Sequence, residues 1–408
     1  GMTVQLATAL PTETSTNRVT STECCIVGAG PAGAVLALLL ARQGIHVTLL
    51  EAHLDFNRDF RGDTLMPSTL ELMDQLGLGE RLHALPHTRV TEMRMETAEG
   101  SAPYLEVDRV HTPFPYIMSV PQVRFLEMVT EEARRYPTFR LVMGARVRQL
   151  LDADGEIRGV VYDSAAGVHE VQAPLTIGAD GRFSKIRQLG GFDMLRNDEA
   201  RDMLWFRLPR TEDSARAHPG LYTRPGLGYA VMVPRGTEWQ VGYTLPKGRY
   251  KQLQAEGMPA LRKSIVAIVP WLADSIESLQ DWKQTSLLSV ESGRARTWSR
   301  PGLLLIGDAA HVMSPVGGVG INCAIQDAVV AANRLVPVLR GGTLRHSDLR
   351  GVQRDREWSV RVTQACQRSM QQYVIHAGQR SRLLNSRLVR HQLMRVLALG
   401  VRRVNIDA

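Results

Sequence analysis

Three glycines, Gly28, Gly30 and Gly33, stand in a G-x-G-x-x-G spacing, and an acid, Glu51, follows 23 residues after the first. Each glycine has a separate task in such a spacing. The first permits a tight turn, the second lets a pyrophosphate approach the backbone, and the third lets the following helix pack closely on the preceding strand. A helix that begins there adds unpaired N–H groups and the positive end of its dipole, a setting for phosphate. Glu51 would accept hydrogen bonds from ribose hydroxyls and repel a ribose 2′-phosphate. The chemistry indicated is dinucleotide binding with NADP excluded from this site, and the spacing leaves NAD and FAD both open.

Two later stretches separate them. Gly178-Ala179-Asp180-Gly181-Arg182-Phe183-Ser184-Lys185-Ile186-Arg187 is one; Gly307-Asp308-Ala309-Ala310-His311, continued by Pro315, Gly317, Gly318, Gly320 and Asn322, is the other. With the glycine fingerprint they make three motifs whose order and separation resemble those of the para-hydroxybenzoate hydroxylase-like aromatic hydroxylases, over roughly residues 22–340. The resemblance implies FAD. It places Asp308 on the ribityl hydroxyls, Pro315 beside the isoalloxazine ring, and the backbone of Gly317, Gly318 and Gly320 close to that ring. A helix starting near Ile321 would direct its dipole at the pyrimidine side of the ring, with Asn322 a further contact. By the same resemblance Asp180 sits near the pyrophosphate and ribityl chain, and Arg187 orients its loop. Arg61 and Gln122 resemble the family's arginine near the flavin and glutamine near the ribityl chain, and a surface or capping role stays open for both. Ala52 stands where the family often has a basic residue near adenine.

The implied activity is monooxygenation. NADH or NADPH would reduce FAD, molecular oxygen would give a flavin C4a-hydroperoxide, and an aromatic or polycyclic small molecule would be hydroxylated. Pro315, Gly317 and Gly318 then matter by positioning the flavin, and no acid–base residue or metal is assigned. A flavin halogenase, a prenyl-chain reductase and a non-catalytic flavin-binding redox sensor are the alternatives. His311 reads as structural or cofactor-side, and Cys323 as a small packing residue. Trp205, Tyr229, Met232 and Tyr243 are candidates to line an aromatic pocket, although alternation in a sheet produces the same pattern.

These residues need elements to hold them. The apolar run Cys24–Val27, the helix-like Ala34–Arg42 and the apolar His46–Leu50 predict a strand–turn–helix–strand unit. Gln122–Tyr136 and Met258–Val269 read as helices. Asn322–Val336 reads as a helix stopped by Pro337, and Leu349–Arg403 as helical with breaks. Hairpin-like runs between residues 192 and 298 predict an antiparallel sheet with one helix. The expected architecture is α/β: a Rossmann-like FAD-binding domain from 23–88, 121–190 and 299–340 interleaved with a mainly antiparallel-sheet substrate domain from 89–120 and 191–298. A flexible arm covers 1–22 and a C-terminal helical region 341–408.

The 408 residues, 44% hydrophobic and 22% charged, fit a multi-domain globular protein and exclude wholesale disorder. No apolar run approaches a membrane span. Four cysteines in no metal or redox spacing suit a reducing compartment, so a cytoplasmic location is expected. Net charge is +8, but only five of the 49 basic residues are lysine, and no nucleic-acid recognition module accompanies them. The arginine-rich end (Arg380, Arg382, Arg387, Arg390, Arg395, Arg402, Arg403) reads as a docked amphipathic helix, with weak membrane-surface contact as the second reading. Oligomeric state leaves no mark in the sequence.

Overall fold

Cys24–Val27 and Leu303–Leu305 are buried at every residue, as strands covered on both faces must be. In the computed structural model, which describes residues 18–57, 64–197, 201–315, 318–375 and 387–408, they belong to one six-stranded sheet. Its order is Ser299–Arg300, Leu303–Leu305, Leu175–Gly178, Cys24–Val27, Val47–Glu51, Phe139–Met143. Every pair is parallel except the outermost, Ser299–Arg300 with Leu303–Leu305. Five strands therefore end on the same side. The helices are α1 (Pro31–Arg42), α2 (Pro67–Gln75), α3 (Gly79–Ala84), α4 (Gln122–Ala133), α5 (Lys185–Leu189), α6 (Arg249–Glu256), α7 (Met258–Ile268), α8 (Gly320–Gly341), α9 (His346–Ile375) and α10 (Arg387–Leu399). Pro31 and Pro67 open their helices, where a missing N–H costs nothing.

A seven-stranded sheet runs Ser286–Ser289, Arg201–Pro209, Glu238–Pro246, Gly228–Arg235, Gly220–Arg224, Glu92–Thr97, Gly100–Glu106. It is antiparallel apart from Gly220–Arg224 beside Glu92–Thr97. Alternation gives it two different faces. Leu204, Phe206, Trp239, Val241 and Met232 pack with Leu261 and Ile265 of α7 in one core. Met203, Trp205, Leu221 and Tyr229 face the larger core that also holds the parallel sheet.

Four expectations need correcting. Residues 1–17 lie outside the described residues, but the expected arm is ordered at its end: Val19–Ser21 is a strand parallel to Gly167–Gln172. The Thr/Ser-rich stretch hid it because the strand is largely exposed and held by backbone pairing alone. The antiparallel region carries two helices, α6 and α7, since Gly257 separates them with a positive φ of 101°. Helix α8 continues through Pro337 to Gly341. So near the end of the helix Pro337 forfeits one backbone bond, while Leu335, Val336 and Leu339 anchor the turns around it on the core. Met232 and Tyr243 lie in the core under α6 and α7, on the sheet face opposite Trp205 and Tyr229, because each is an odd number of residues out of phase with them.

At the C-terminal end, α10 buries Met394 and Leu397–Leu399, so this part of the arginine-rich region is a docked amphipathic helix. Arg380 and Arg382 lie outside the described residues. No helix among the described residues is long and apolar enough to cross a membrane.

Candidate functional site: three loops at one edge of the parallel sheet

Register puts Leu305 beside Gly178, Gly178 beside Val27, and Val27 beside Leu50. Four neighbouring strand ends thus carry the Gly307 loop, the Asp180 loop, the Gly28 turn and Glu51, side by side. Backbone bonds extend the ladder one step into each loop: Ile306 N–H to Gly178 O (3.0 Å), Ala179 N–H to Val27 O (2.8 Å) and Gly28 N–H to Leu50 O (2.7 Å). Ligands of such sheets lie beyond the carboxyl ends of the strands.

The fingerprint glycines answer to measurable space. Gly28 has φ of 105°, and a Cβ there would lie 2.3 Å from Ala179 O, so it is glycine because the Asp180 loop crosses it. A Cβ at Gly33 would lie 1.8 Å from Gly28 O, which fixes α1 tightly on its own turn. At Gly30 a Cβ would meet nothing within 4 Å, so this side of the turn is open at the head of α1. Glu51 is buried beside it: Oε1 accepts from Ala29 N–H (3.1 Å), and Oε2 accepts from His53 N–H (2.8 Å) and faces His53 Nδ1 (2.8 Å). Open space at the second glycine, a helix N-terminus and an oriented carboxylate fit the pyrophosphate and ribose of an adenine dinucleotide.

Asp180 spends its carboxylate locally. It accepts from Ser184 Oγ, Lys185 N–H (2.8 Å) and Ile186 N–H (3.1 Å), closing the loop onto α5, and burial pushes its carboxyl upward against those bonds. Arg187 joins that loop to the next motif, donating from Nη2 to Arg182 O (2.7 Å) and from Nη1 to Ala309 O (3.1 Å). Asp308 is half-buried, and its backbone carbonyl also faces Arg187 Nη1 at 3.4 Å. Gly307, at φ of 63°, sits where two helices meet: a Cβ would lie 3.2 Å from Ala32 Cβ of α1 and 3.4 Å from Ala324 Cβ of α8. Both helix N-termini therefore converge on this loop.

Pro315 O accepts from Gly318 N–H (3.2 Å), closing a turn just before α8. Gly318 has φ of 64°, and Gly320 and Ile321 are the first residues of α8, where N–H groups lack intrahelical partners. The Asn322 side chain is engaged within the protein. Its Oδ1 accepts from Met66 N–H (2.8 Å) and Thr69 Oγ1 (2.5 Å), and its Nδ2 donates to Gly318 O (3.2 Å). It locks the turn to α2 rather than facing outward. Gln122 is buried as the first residue of α4. Arg61 and Gly317 lie outside the described residues.

His311 is fully buried, with Nε2 2.5 Å from Asp327 Oδ2. Asp327, which the sequence did not single out, also accepts from Gly307 N–H (2.8 Å) and from Arg356 Nε (2.7 Å). Burial alone would raise its carboxyl, but the facing His311 and Arg356 outweigh burial and hold it at about 2. No cluster of metal-ligating side chains occurs among the described residues.

A family model described as an FAD binding domain matches residues 21–356. The 6-methylpretetramide 4-monooxygenase of Streptomyces rimosus is 38% identical over 333 residues, covering 80% of this chain and 77% of that protein. The 12-dehydrotetracycline 5-monooxygenase/anhydrotetracycline 6-monooxygenase of Streptomyces rimosus subsp. rimosus is 28% identical over 78% of this chain, which spans 63% of that relative's length. Among solved structures, Pseudomonas aeruginosa PqsL in complex with 2-aminobenzoylacetate matches with a TM-score of 0.76 at 21% identity, over 87% of this chain and 97% of that one. The OxyS anhydrotetracycline hydroxylase of Streptomyces rimosus matches with a TM-score of 0.74 at 24% identity, over 94% and 77%. At those identities the two structures speak for the fold alone.

Proposed function

The chain belongs to the FAD-binding domain family of FAD-dependent aromatic hydroxylases and monooxygenases, and from that premise we propose that it hydroxylates a polycyclic aromatic polyketide. It is an FAD-dependent oxidoreductase. The substrate class is our reading, supported by the relative at 38% identity, whose name gives 6-methylpretetramide as the molecule it acts on. The observation that carries the proposal is the alignment of three loops and Glu51 on four adjacent strand ends.

When bound, FAD takes up reducing equivalents from NADH or NADPH and activates molecular oxygen for transfer. The chain's own residues bind, orient and shield. In our reading the open side of Gly30 and the head of α1 receive the pyrophosphate, and Glu51 receives the adenosine ribose. Asp308 accepts from the ribityl hydroxyls. Pro315 and Gly318 present backbone to the ring, and the N–H groups of Gly320 and Ile321 stabilise negative charge on it. Asp180, Arg187 and Asn322 act one step back, fixing those loops by bonds to protein.

Trp205 and Tyr229, on the sheet face directed at the core that holds the parallel sheet, supply the apolar surface for a flat substrate. Met232 and Tyr243 are not part of this surface. His311 takes no proton from substrate in this reading, since its ring is enclosed and its Nε2 is occupied by Asp327. Catalysis by this chain is accordingly placement and exclusion of water, with no side chain required as a nucleophile.

The test is an anaerobic titration with NADH and NADPH, following the visible absorbance of bound flavin with and without a panel of polycyclic phenols. Bleaching that one compound class accelerates supports the proposal. Flavin reduced at the same rate whatever compound is added counts against it.

A further inference from the structure

Helix α9 buries a polar face. Arg356, Ser359, Thr363, Gln364, Gln367 and Gln371 are all buried, and they recur at the three- and four-residue steps that line one side of a helix. The same helix buries Leu349, Val352, Val360, Met370 and Val374, and a helix that only docks would bury such apolar residues alone. Long polar side chains lose rotamer freedom on burial and need partners, so a face built from them has a reason beyond packing.

The partners show the reason. Arg356 Nε donates to Asp327 Oδ1, and the other oxygen of that carboxylate holds both Gly307 N–H and His311 Nε2. Gln364 Nε2 donates to Val312 O (3.2 Å) and Gly293 O (2.9 Å). Gln367 Nε2 donates to Ser314 O (2.7 Å). Read along α9, Arg356 reaches residues 307 and 311 through Asp327 of α8, and Gln364 and Gln367 bond residues 312 and 314 directly, the stretch between the motif carrying Asp308 and Pro315. On its other side this stretch is a strand for only two residues, paired with Gly293 and Arg294. Pro315 brings no N–H that could extend the pairing. The glutamines supply the donors that a neighbouring strand would otherwise provide.

We propose that α9 sets the register of the flavin loop, with Arg356, Gln364 and Gln367 as positioning residues that act through residues 307–314 on the atoms facing FAD. Gln364 and Gln367 lie beyond the stretch matched by the family model, which ends at residue 356. The inference rests on the FAD site described above. Hydrogen bonds to backbone carbonyls fix a segment lengthwise, which apolar contact alone does not, and a cofactor site loosens when its supporting groups slide.

The experiment uses the full chain with Gln364→Met and Gln367→Met, which keep side-chain length and remove the donor. Trp358→Ala, on the exposed side of α9, is the control. FAD dissociation constants come from flavin fluorescence, the loop's geometry from the visible circular dichroism of bound flavin, and apoprotein stability from thermal melts. Each glutamine variant is expected to weaken FAD roughly two- to tenfold and to alter the flavin dichroism, while Trp358→Ala changes neither. Lower apoprotein stability with wild-type FAD affinity and dichroism would make the contacts merely structural and overturn the proposal. Hydrogen exchange on the unaltered protein gives a second reading: amides of 307–314 and of 356–367 should gain protection together when FAD is added. Protection of 307–314 with none in α9 also overturns it. Failure of the unaltered protein to bind FAD would contradict the cofactor assignment itself, which the variants do not address.

Discussion

Arg187 and Ala309 are joined by a hydrogen bond of 3.1 Å, guanidinium to carbonyl, across the gap between two strand-end loops. The same side chain holds Arg182 O, so one buried arginine ties the Asp180 loop to the Asp308 loop. Arg187→Met leaves those carbonyls without their charged donor. Hydrogen bonds to charged groups contribute ~1.5–3 kcal/mol, so we expect a stability loss of about 2 kcal/mol in urea unfolding together with weaker FAD binding. Unchanged FAD affinity in a destabilised protein would show that the two loops do not need this tie to bind cofactor.

Gly30 and Gly33 should separate ligand space from packing space. Gly33→Ala places a methyl 1.8 Å from Gly28 O and must displace the turn, so the apoprotein itself should melt lower. Gly30→Ala meets open space at a φ of −74°, which alanine adopts freely, so the apoprotein should melt as wild type. Its cost should appear only when FAD is added, as a dissociation constant raised by about tenfold or more through loss of close backbone approach. Equal FAD affinity for Gly30→Ala and wild type would move the pyrophosphate elsewhere.

These glycines also mark what sequence alone makes legible. A turn that a strand and a phosphate must approach admits one residue type at a fixed spacing, so Gly28, Gly30, Gly33 and Gly307 carry their geometry in plain view. Side chains that act through loops do not. Asn322 stands in the motif, yet its amide is committed to Met66, Thr69 and Gly318, contacts more than 250 residues apart in part. The polar face of α9 was invisible because glutamine and arginine at helical spacing read as solvated surface until their partners are known. Met232 and Tyr243 read as pocket candidates because alternation reveals that a strand has two faces without revealing which face meets the cofactor domain.

Trp205 and Met232 test that division. Met232→Ala hollows the core under α7 and should cost about 2–5 kcal/mol of stability, with substrate-stimulated flavin reduction retained in the folded fraction. Trp205→Ala, on the opposite face, should raise the substrate concentration needed for stimulation while leaving FAD affinity intact. Normal substrate response in Trp205→Ala would remove this face from the binding surface.

Asp327 gives a pH signature. Its carboxyl is held at about 2 in the folded protein against an ordinary value of 3.8, so the group contributes stability that is complete above pH 3.8 and disappears as pH falls through 2. The shift corresponds to about 2 kcal/mol. Arg356→Met removes the guanidinium that opposes burial, so the carboxyl rises and acid unfolding moves to higher pH. A midpoint by circular dichroism identical to wild type would mean that Arg356 does not hold Asp327 ionised.

The central claim, oxygen transfer to a polycyclic aromatic molecule, is tested most directly with heavy-isotope oxygen gas. Holoenzyme, NADH or NADPH and a polycyclic phenol that accelerates flavin reduction are mixed under labelled oxygen, and the product is weighed by mass spectrometry. The account predicts one labelled oxygen atom in a hydroxylated product. Reoxidation of the flavin that yields hydrogen peroxide alone, with the phenol recovered unlabelled, would contradict it.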